Sequence, residues 1–343
     1  MTSARPDWWA PGCFEAAPGV HRIPLALPND ALRAVNVYAI ETSDGLVLID
    51  GGWHLPNTPC ELHAALHTIG RGLDDVSAVF VTHIHRDHYT LAVELRRQVG
   101  ARVHLGRAEA PGLRAVRELG SNVPVSSLRE LARAGAADLV QVVIALTEPE
   151  AFDAADWEDP DGWLDAGPLD LGSRQLEVVP TPGHTKGHVV FHDTHAGLMF
   201  TGDHVLPTIT PSIGFELSDW GRPLADYLES LAAMRARPDA ILMPAHGHPG
   251  GSLHDRVTVL LTHHQERFQQ ILDNVEQATS PLTGATVAGG MLWTRRGRAF
   301  ASLDPFNQMI AVCETMAHLD VLADRGHLVA ASEDDRPTMF SAA

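Results

Sequence analysis

The sequence predicts a layered α/β fold on three observations. Short apolar runs rich in β-branched residues alternate with helical patterns over residues 35–105 and resume at 176, as expected of helices laid on sheets. The 343 residues are 45% hydrophobic and 20% charged, a globular balance that excludes disordered and collagen-like chains. No stretch approaches the roughly 18 consecutive apolar residues of a membrane-spanning helix.

Taken in order, runs 35–41 and 46–50 read as strands joined by a turn at Ser43, Asp44 and Gly45. Residues 59–69 read as a helix, with Thr58 as its cap and Pro59 at its first position. A buried strand over 76–82, a short helix over 91–99 and a strand over 102–105 follow. Residues 120–167 are less regular. Their acidic part, 151–167, reads either as a solvated excursion or as a cover whose Trp157 and Trp163 face a pocket. Strands resume at 176–180, 189–192 and 198–201, then a helix over 224–237, a strand over 240–244 and a long helix over 253–278. The tail holds a short helix over 286–292, a basic loop with Arg295, Arg296 and Arg298, and a strong helix from Pro305, capped by Asp304, to Arg325. Gly326 breaks that helix, and runs 327–331 and 338–341 close the chain as a β-pair, the outline of a winged helix. The reading is of two units, 1–252 with an insertion at about 120–167, and 253–343.

The helix 305–325 carries Phe306, Ile310, Cys313 and Ala317 on one stripe and Met309, Val312, Met316 and Leu319 on the next. That is too much apolar surface to leave in water, so one stripe is expected inside the tail and the other against the first unit or a second copy of the chain. A homodimer through the tail is therefore one expectation.

With 25 Lys and Arg against 43 Asp and Glu, the net charge is −18, which argues against a nucleic-acid partner. Cys13, Cys60 and Cys313 are too scattered for a disulfide framework, and the first residues lack a signal-peptide core, so a cytoplasmic protein is expected.

Histidine stands out, with 20 residues. His83, His85, Asp87 and His88 lie within six positions at the end of the 76–82 strand. In extended chain His83 and His85 point the same way, and imidazole with carboxylate is the ligand set of zinc and similar divalent metals. His184 (with Gly183), Asp203 (with Gly202) and His246 (with Gly247) each follow another expected strand. Asp50 stands in the same relation to the strand at 46–50.

These five ordered motifs over about residues 18–250 resemble those of the metallo-β-lactamase-fold metallohydrolases. The resemblance implies a four-layer αββα sandwich with a dinuclear site at one edge, to which the outline of the tail adds a small C-terminal winged-helix-like helical domain. It places His83, His85 and His184 on one ion, Asp87, His88 and His246 on a second, and Asp203 between them. Asp50 would steady the ligand loop, and Asp87 would take up a proton as a shared hydroxide attacks. The ions implied are two divalent metals, zinc first, with iron or manganese as alternatives.

Other histidines carry weaker readings. His188 and His248 are expected to be supporting residues, His204 a proton shuttle or a hydrogen-bonding residue, and His263 with His264 a surface pair. Lys186 reads as solvated or as an anion contact. The apolar, Pro-punctuated run 205–215 leaves directly from Asp203 and reads as a pocket wall, with Ile209, Ile213 and Phe215 as its candidate contacts. Wall and tail together look similar to the glyoxalase II-like branch that carries a C-terminal winged helix. The expected reaction is hydrolysis of a carboxylic thioester or related ester on a small acyl substrate, with an RNA phosphodiesterase or a lactonase as alternatives. A vestigial hydrolase carrying a docking module is the non-enzymatic alternative.

Overall fold

The computed structural model describes residues 7–28, 32–148, 151–215, 217–218, 221–294, 296–333 and 336–343. Arg295 of the basic loop lies outside the described residues. The first sheet has seven strands in chain order: β1 (Phe14–Ala17), β2 (Val20–Ala26), β3 (Ala34–Thr42), β4 (Gly45–Ile49), β5 (Val76–Val81), β6 (Arg102–Gly106) and β7 (Gly162–Leu164). Pairing is antiparallel from β1 to β4 and parallel from β4 to β7. The second sheet runs β12-β11-β10-β9-β8, from β8 (Gly167–Asp170), β9 (Gln175–Pro180), β10 (Val189–Asp193), β11 (Leu198–Gly202) and β12 (Ile241–Pro244).

Period-two alternation sorts the strand residues into layers. On β3, Val35, Val37 and Ala39 face the helices, while Tyr38 and Ile40 face the second sheet. On β11, Leu198 and Phe200 face the first sheet and Met199 faces the opposite helices. Helices α1 (Thr58–His67), α2 (Arg86–Val99) and α3 (Ala110–Leu119) cover the first sheet. Helices α6 (Pro223–Arg235) and α7 (Leu253–Glu276) cover the second. The result is the four-layer αββα sandwich, with one apolar core between each pair of layers.

Two differences from the expectations lie in the insertion. Residues 120–167 contain two helices, α4 (Val125–Arg133) and α5 (Ala137–Thr147), neither with a side-chain cap. Trp157 is buried and Trp163 partly buried, both in the core beneath α2 and α3, so neither is a cover over a pocket.

The tail continues α7 with β13 (Leu282–Thr283), α8 (Gly284–Gly289), the hairpin β14 (Leu292–Trp293) and β15 (Arg298–Ala299), α9 (Pro305–Asp324), β16 (Leu328–Ala331) and β17 (Met339–Ala342). β17 sits between β13 and β16 in a three-stranded sheet. The side chain of Asp304 caps α9 by accepting from the Asn307 N–H at 3.0 Å. Both apolar stripes of α9 are covered within the chain, Phe306 and Ile310 excepted, by α4, α5 and α6 on one side and α7 and α8 on the other. Arg133 of α4 adds a two-pronged ion pair to Asp320 of α9, at 3.0 and 2.5 Å. One continuous core thus runs from the second sheet through α6 into the tail.

His264 is a correction: it is no surface residue but fully buried, its Nδ1 3.1 Å from His318 Nε2. His318 Nδ1 donates to the Glu314 carbonyl at 2.7 Å, and a neutral His318 accepts at Nε2 from His264 Nδ1. Burial first, with nearby Arg267 adding to it, holds both below the ordinary imidazole value, His318 at about 3. A folded-state value below the unfolded one means that this stability is complete above about 6.5 and is lost as pH falls from there towards 3. Urea unfolding of a His264→Leu/His318→Met variant between pH 6.5 and 5 is expected to show a shallower acid slope, by about 1.4 kcal/mol per pH unit for each proton no longer taken up. An unchanged slope would mean that the pair is already protonated in the fold.

Candidate active site

The donor residues lie just past strand ends at one edge of the sandwich. His83 and His85 follow β5, and Asp87 and His88 fall in the first turn of α2, which begins five residues earlier than the helix expected over 91–99. His184 follows β9, Asp203 follows β11 and His246 follows β12. Close backbone approach makes this possible. A Cβ on Gly51 would lie 2.6 Å from the Ala92 nitrogen of α2, and one on Gly202 would lie 2.6 Å from Thr82 Oγ1.

Two donor groups result. In the first, His83 Nε2 and His184 Nε2 each lie 3.0 Å from His85 Nδ1. In the second, Asp87 Oδ2 lies 3.5 Å from both His88 Nε2 and His246 Nε2. Asp203 stands between them, Oδ2 3.5 Å from His184 Nε2 and Oδ1 3.3 Å from His246 Nε2. Donors held about 2.0–2.1 Å from a tetrahedral ion are themselves about 3.3–3.4 Å apart, so both groups have the span of a metal site. His88 Nε2, His246 Nε2 and Asp203 Oδ1 are buried and make no hydrogen bond among the described residues.

Hydrogen bonds behind the donors set which nitrogen faces the centre. His184 Nδ1 donates to the Ser212 carbonyl at 2.8 Å and His246 Nδ1 to the Ala34 carbonyl at 2.7 Å, which turns each Nε2 towards the centre. His88 Nδ1 donates to Asp50 Oδ2 at 3.0 Å. Asp50 also accepts from the Thr82 N–H at 2.8 Å and the Thr82 hydroxyl at 2.9 Å, and it holds a left-handed backbone with φ 61°. Asn36 donates to the carbonyls of Pro244 and Gly247, each at 2.9 Å, so the first sheet grips the loop that carries His246.

Charge divides the two groups. Burial and then mutual repulsion hold His83 and His85 neutral, His85 at about 3. Burial also opposes charge on His88 and His246, but the carboxylates of Asp87 and Asp203 outweigh it, and His88 rises to about 9 with help from Asp50. Asp87 remains a carboxylate well below the usual range, because His88 and His246 overcome its burial.

Of the supporting histidines, His188 accepts from the Asp203 N–H at 3.2 Å and stacks on His83 at 5.0 Å. His204 is fully buried against Tyr227, and neither ring nitrogen makes a hydrogen bond among the described residues. His248 is exposed. Lys186 Nζ donates to Ser218 Oγ at 3.3 Å. Of the three candidate wall contacts, Phe215 lies against His85 with ring centroids 5.6 Å apart, and Ile209 is exposed. Ile213 is the exception, because its side chain is entirely buried in the core beneath the loop. Sequence reasoning missed Phe306, whose ring lies 5.9 Å from that of Phe215. Its position in the first turn of a buried helix, one residue past the proline, was the available signal.

A family model described as the metallo-beta-lactamase superfamily matches residues 30–246. The chain belongs to the metallo-beta-lactamase superfamily. Members are metal-dependent and typically dinuclear, and this chain is a metal-dependent hydrolase of that superfamily. It is similar over 309 residues to the probable metallo-hydrolase YqjP of Bacillus subtilis (strain 168), 23% identical across 85% of this chain and 88% of that protein. A hydroxyacylglutathione hydrolase of Fuscovulum blasticum is 26% identical over 191 residues, 55% of this chain and 54% of that protein. In fold, a metallo-beta-lactamase family protein of Thermus thermophilus superposes with a TM-score of 0.75 at 24% identity, covering 96% of this chain and 100% of its own. A beta-lactamase domain protein of Burkholderia ambifaria gives 0.76 at 25% identity, covering 96% and 94%. Both extend past the residues that the family model matches. Among the described residues, no helix is long and apolar enough to cross a membrane.

Proposed function

We propose that this superfamily member hydrolyses a carboxylic thioester or related ester with an apolar acyl group, using two divalent ions, zinc in the first place. His83, His85 and His184 would hold one ion, Asp87, His88 and His246 the other, and Asp203 both. Bound there, a metal pair lowers the pKa of water towards neutrality and stabilises the oxyanion of an attacked carbonyl. The protein's part is orientation. Asp50 and the Ser212 and Ala34 carbonyls fix the imidazoles. The first group is kept neutral, the form that ligates, while His88 and His246 of the second would ligate only after giving up their protons. Asp87 is the partly exposed carboxylate at the reacting edge and would serve as proton acceptor only as His88 and His246 lose the charge that holds it ionised.

One observation carries the substrate class: Phe215 packs against His85, so an apolar wall begins at the donor cluster itself. The likeness to a hydroxyacylglutathione hydrolase, named for a thioester substrate, supports the same reading. Two features weigh against nucleic acid: the charge of −18, and the burial of α9, the helix that a winged helix would present to it. The test is metal analysis with a screen of acyl-CoA, acyl-glutathione and lactone substrates. Phe215→Ala is expected to lower kcat/KM on the preferred acyl group about 10–200-fold with metal content unchanged. If Phe215→Ala is silent while Arg298→Ala abolishes turnover of RNA, the substrate is an anion reached through the tail, and the phosphodiesterase reading replaces this one.

A further inference from the structure

Resting on the thioester reading, we infer that the C-terminal region builds the outer half of the acyl site, with Phe306 as its specificity-determining residue. Three contacts point there. The loop that bears Phe215 is tied to the donor cluster at Ser212, whose carbonyl accepts from His184. The same loop is held from behind by the C-terminal region. Arg256 of α7 donates to the Leu206 carbonyl at 2.5 Å and the Ile209 carbonyl at 2.6 Å. Gly214, at φ 89°, seats against α9, where a Cβ would lie 3.4 Å from Cys313. The third contact is aromatic. Phe306 meets Phe215 edge to face at 5.9 Å, and Phe215 meets His85 at 5.6 Å, so two rings lead outward from the donors.

Phe306 keeps 43% of its surface exposed although most of α9 is buried. The Asp304 cap and Pro305 at the first helical position hold the backbone of this turn rigid, so the ring is presented at little entropic cost. An apolar chain leaving the reacting carbonyl along Phe215 reaches Phe306 only if it is several carbons long. Phe306 therefore reads chain length or an aromatic end group, while the chemistry at the carbonyl is the same for short and long acyl groups.

The experiment compares octanoyl and acetyl thioesters of N-acetylcysteamine on the full metal-loaded chain. Phe306→Ala is expected to lower the octanoyl-to-acetyl ratio of kcat/KM about 10-fold, and Phe306→Leu to retain most of it. Val329→Ala, an exposed change elsewhere in the tail, is expected to leave the ratio as it was. In parallel, calorimetry measures binding of the non-hydrolysable S-octyl thioether of N-acetylcysteamine, which Phe306→Ala is expected to weaken by a similar factor. An unchanged ratio, or equal losses on both thioesters, overturns the inference. If neither thioester is turned over but the octyl thioether binds in a Phe306-dependent way, the reaction assigned above fails and the wall stands. If the thioether binds equally to both proteins, the wall fails as well.

Discussion

Asp203→Ala is expected to leave about one metal ion per chain in place of about two and to lower kcat at least about 10³-fold on any ester that the native protein hydrolyses. The reason is position. Asp203 is the residue whose two oxygens face different donor groups, at 3.5 Å from His184 Nε2 and 3.3 Å from His246 Nε2. Removing it strips one anion from both groups at once, and His88 and His246 lose a carboxylate that offsets their burial. Elemental analysis after gel filtration reads the metal count, and circular dichroism guards against simple unfolding. A variant that keeps two ions and native turnover would refute the assignment of Asp203. A native protein holding one tightly bound iron and consuming oxygen would refute the hydrolytic reading itself.

Removing the residues after Ala278 is expected to give an aggregating chain. α9 fully buries Met309, Val312, Met316 and Leu319, against α4, α5 and α6 of the sandwich as well as against its own tail. At about 1.5–3 kcal/mol for each large apolar side chain, their loss rivals the roughly 5–15 kcal/mol that stabilises a whole domain. The deletion also uncovers Leu131, Ala134 and Val143 and leaves Arg133 without Asp320. Light scattering and sedimentation of the shortened chain check this. A soluble, monomeric and fully active product would show that the tail is an independent module.

The donor residues were legible because four of them fall within six positions after one apolar strand, and His184, Asp203 and His246 each stand beside a glycine past another. Strand ends in such sandwiches share an edge. Their partners were legible only in part. Asp50 announces itself in an Asp-Gly-Gly turn, but the carbonyls of Ser212 and Ala34 carry no side-chain signal. Helices α4 and α5 were missed because they lack side-chain caps, and α5 is rich in valine; contact with α9, a long-range effect, favours helix there. Trp157 shows the converse: an acidic neighbourhood implied exposure, whereas Arg96 and Arg97 neutralise Glu158 at the surface and let the indole turn inward. His264 was misread for want of its partner, since His318 lies 54 residues away.

The left-handed backbone at Asp50 has a consequence for how this protein can change. A side chain at φ 61° costs about 1 kcal/mol or more relative to glycine, which adopts that conformation freely. Glycine would thus relieve the strain, yet it offers no oxygen to His88 or Thr82. The balance still favours aspartate, because a glycine would strand the buried Thr82 N–H, the Thr82 hydroxyl and the His88 N–H at about 1–3 kcal/mol each, more than the strain it removes. Selection for heat resistance and selection for turnover therefore hold the same residue at this one codon, and the strained backbone persists because both need its carboxylate.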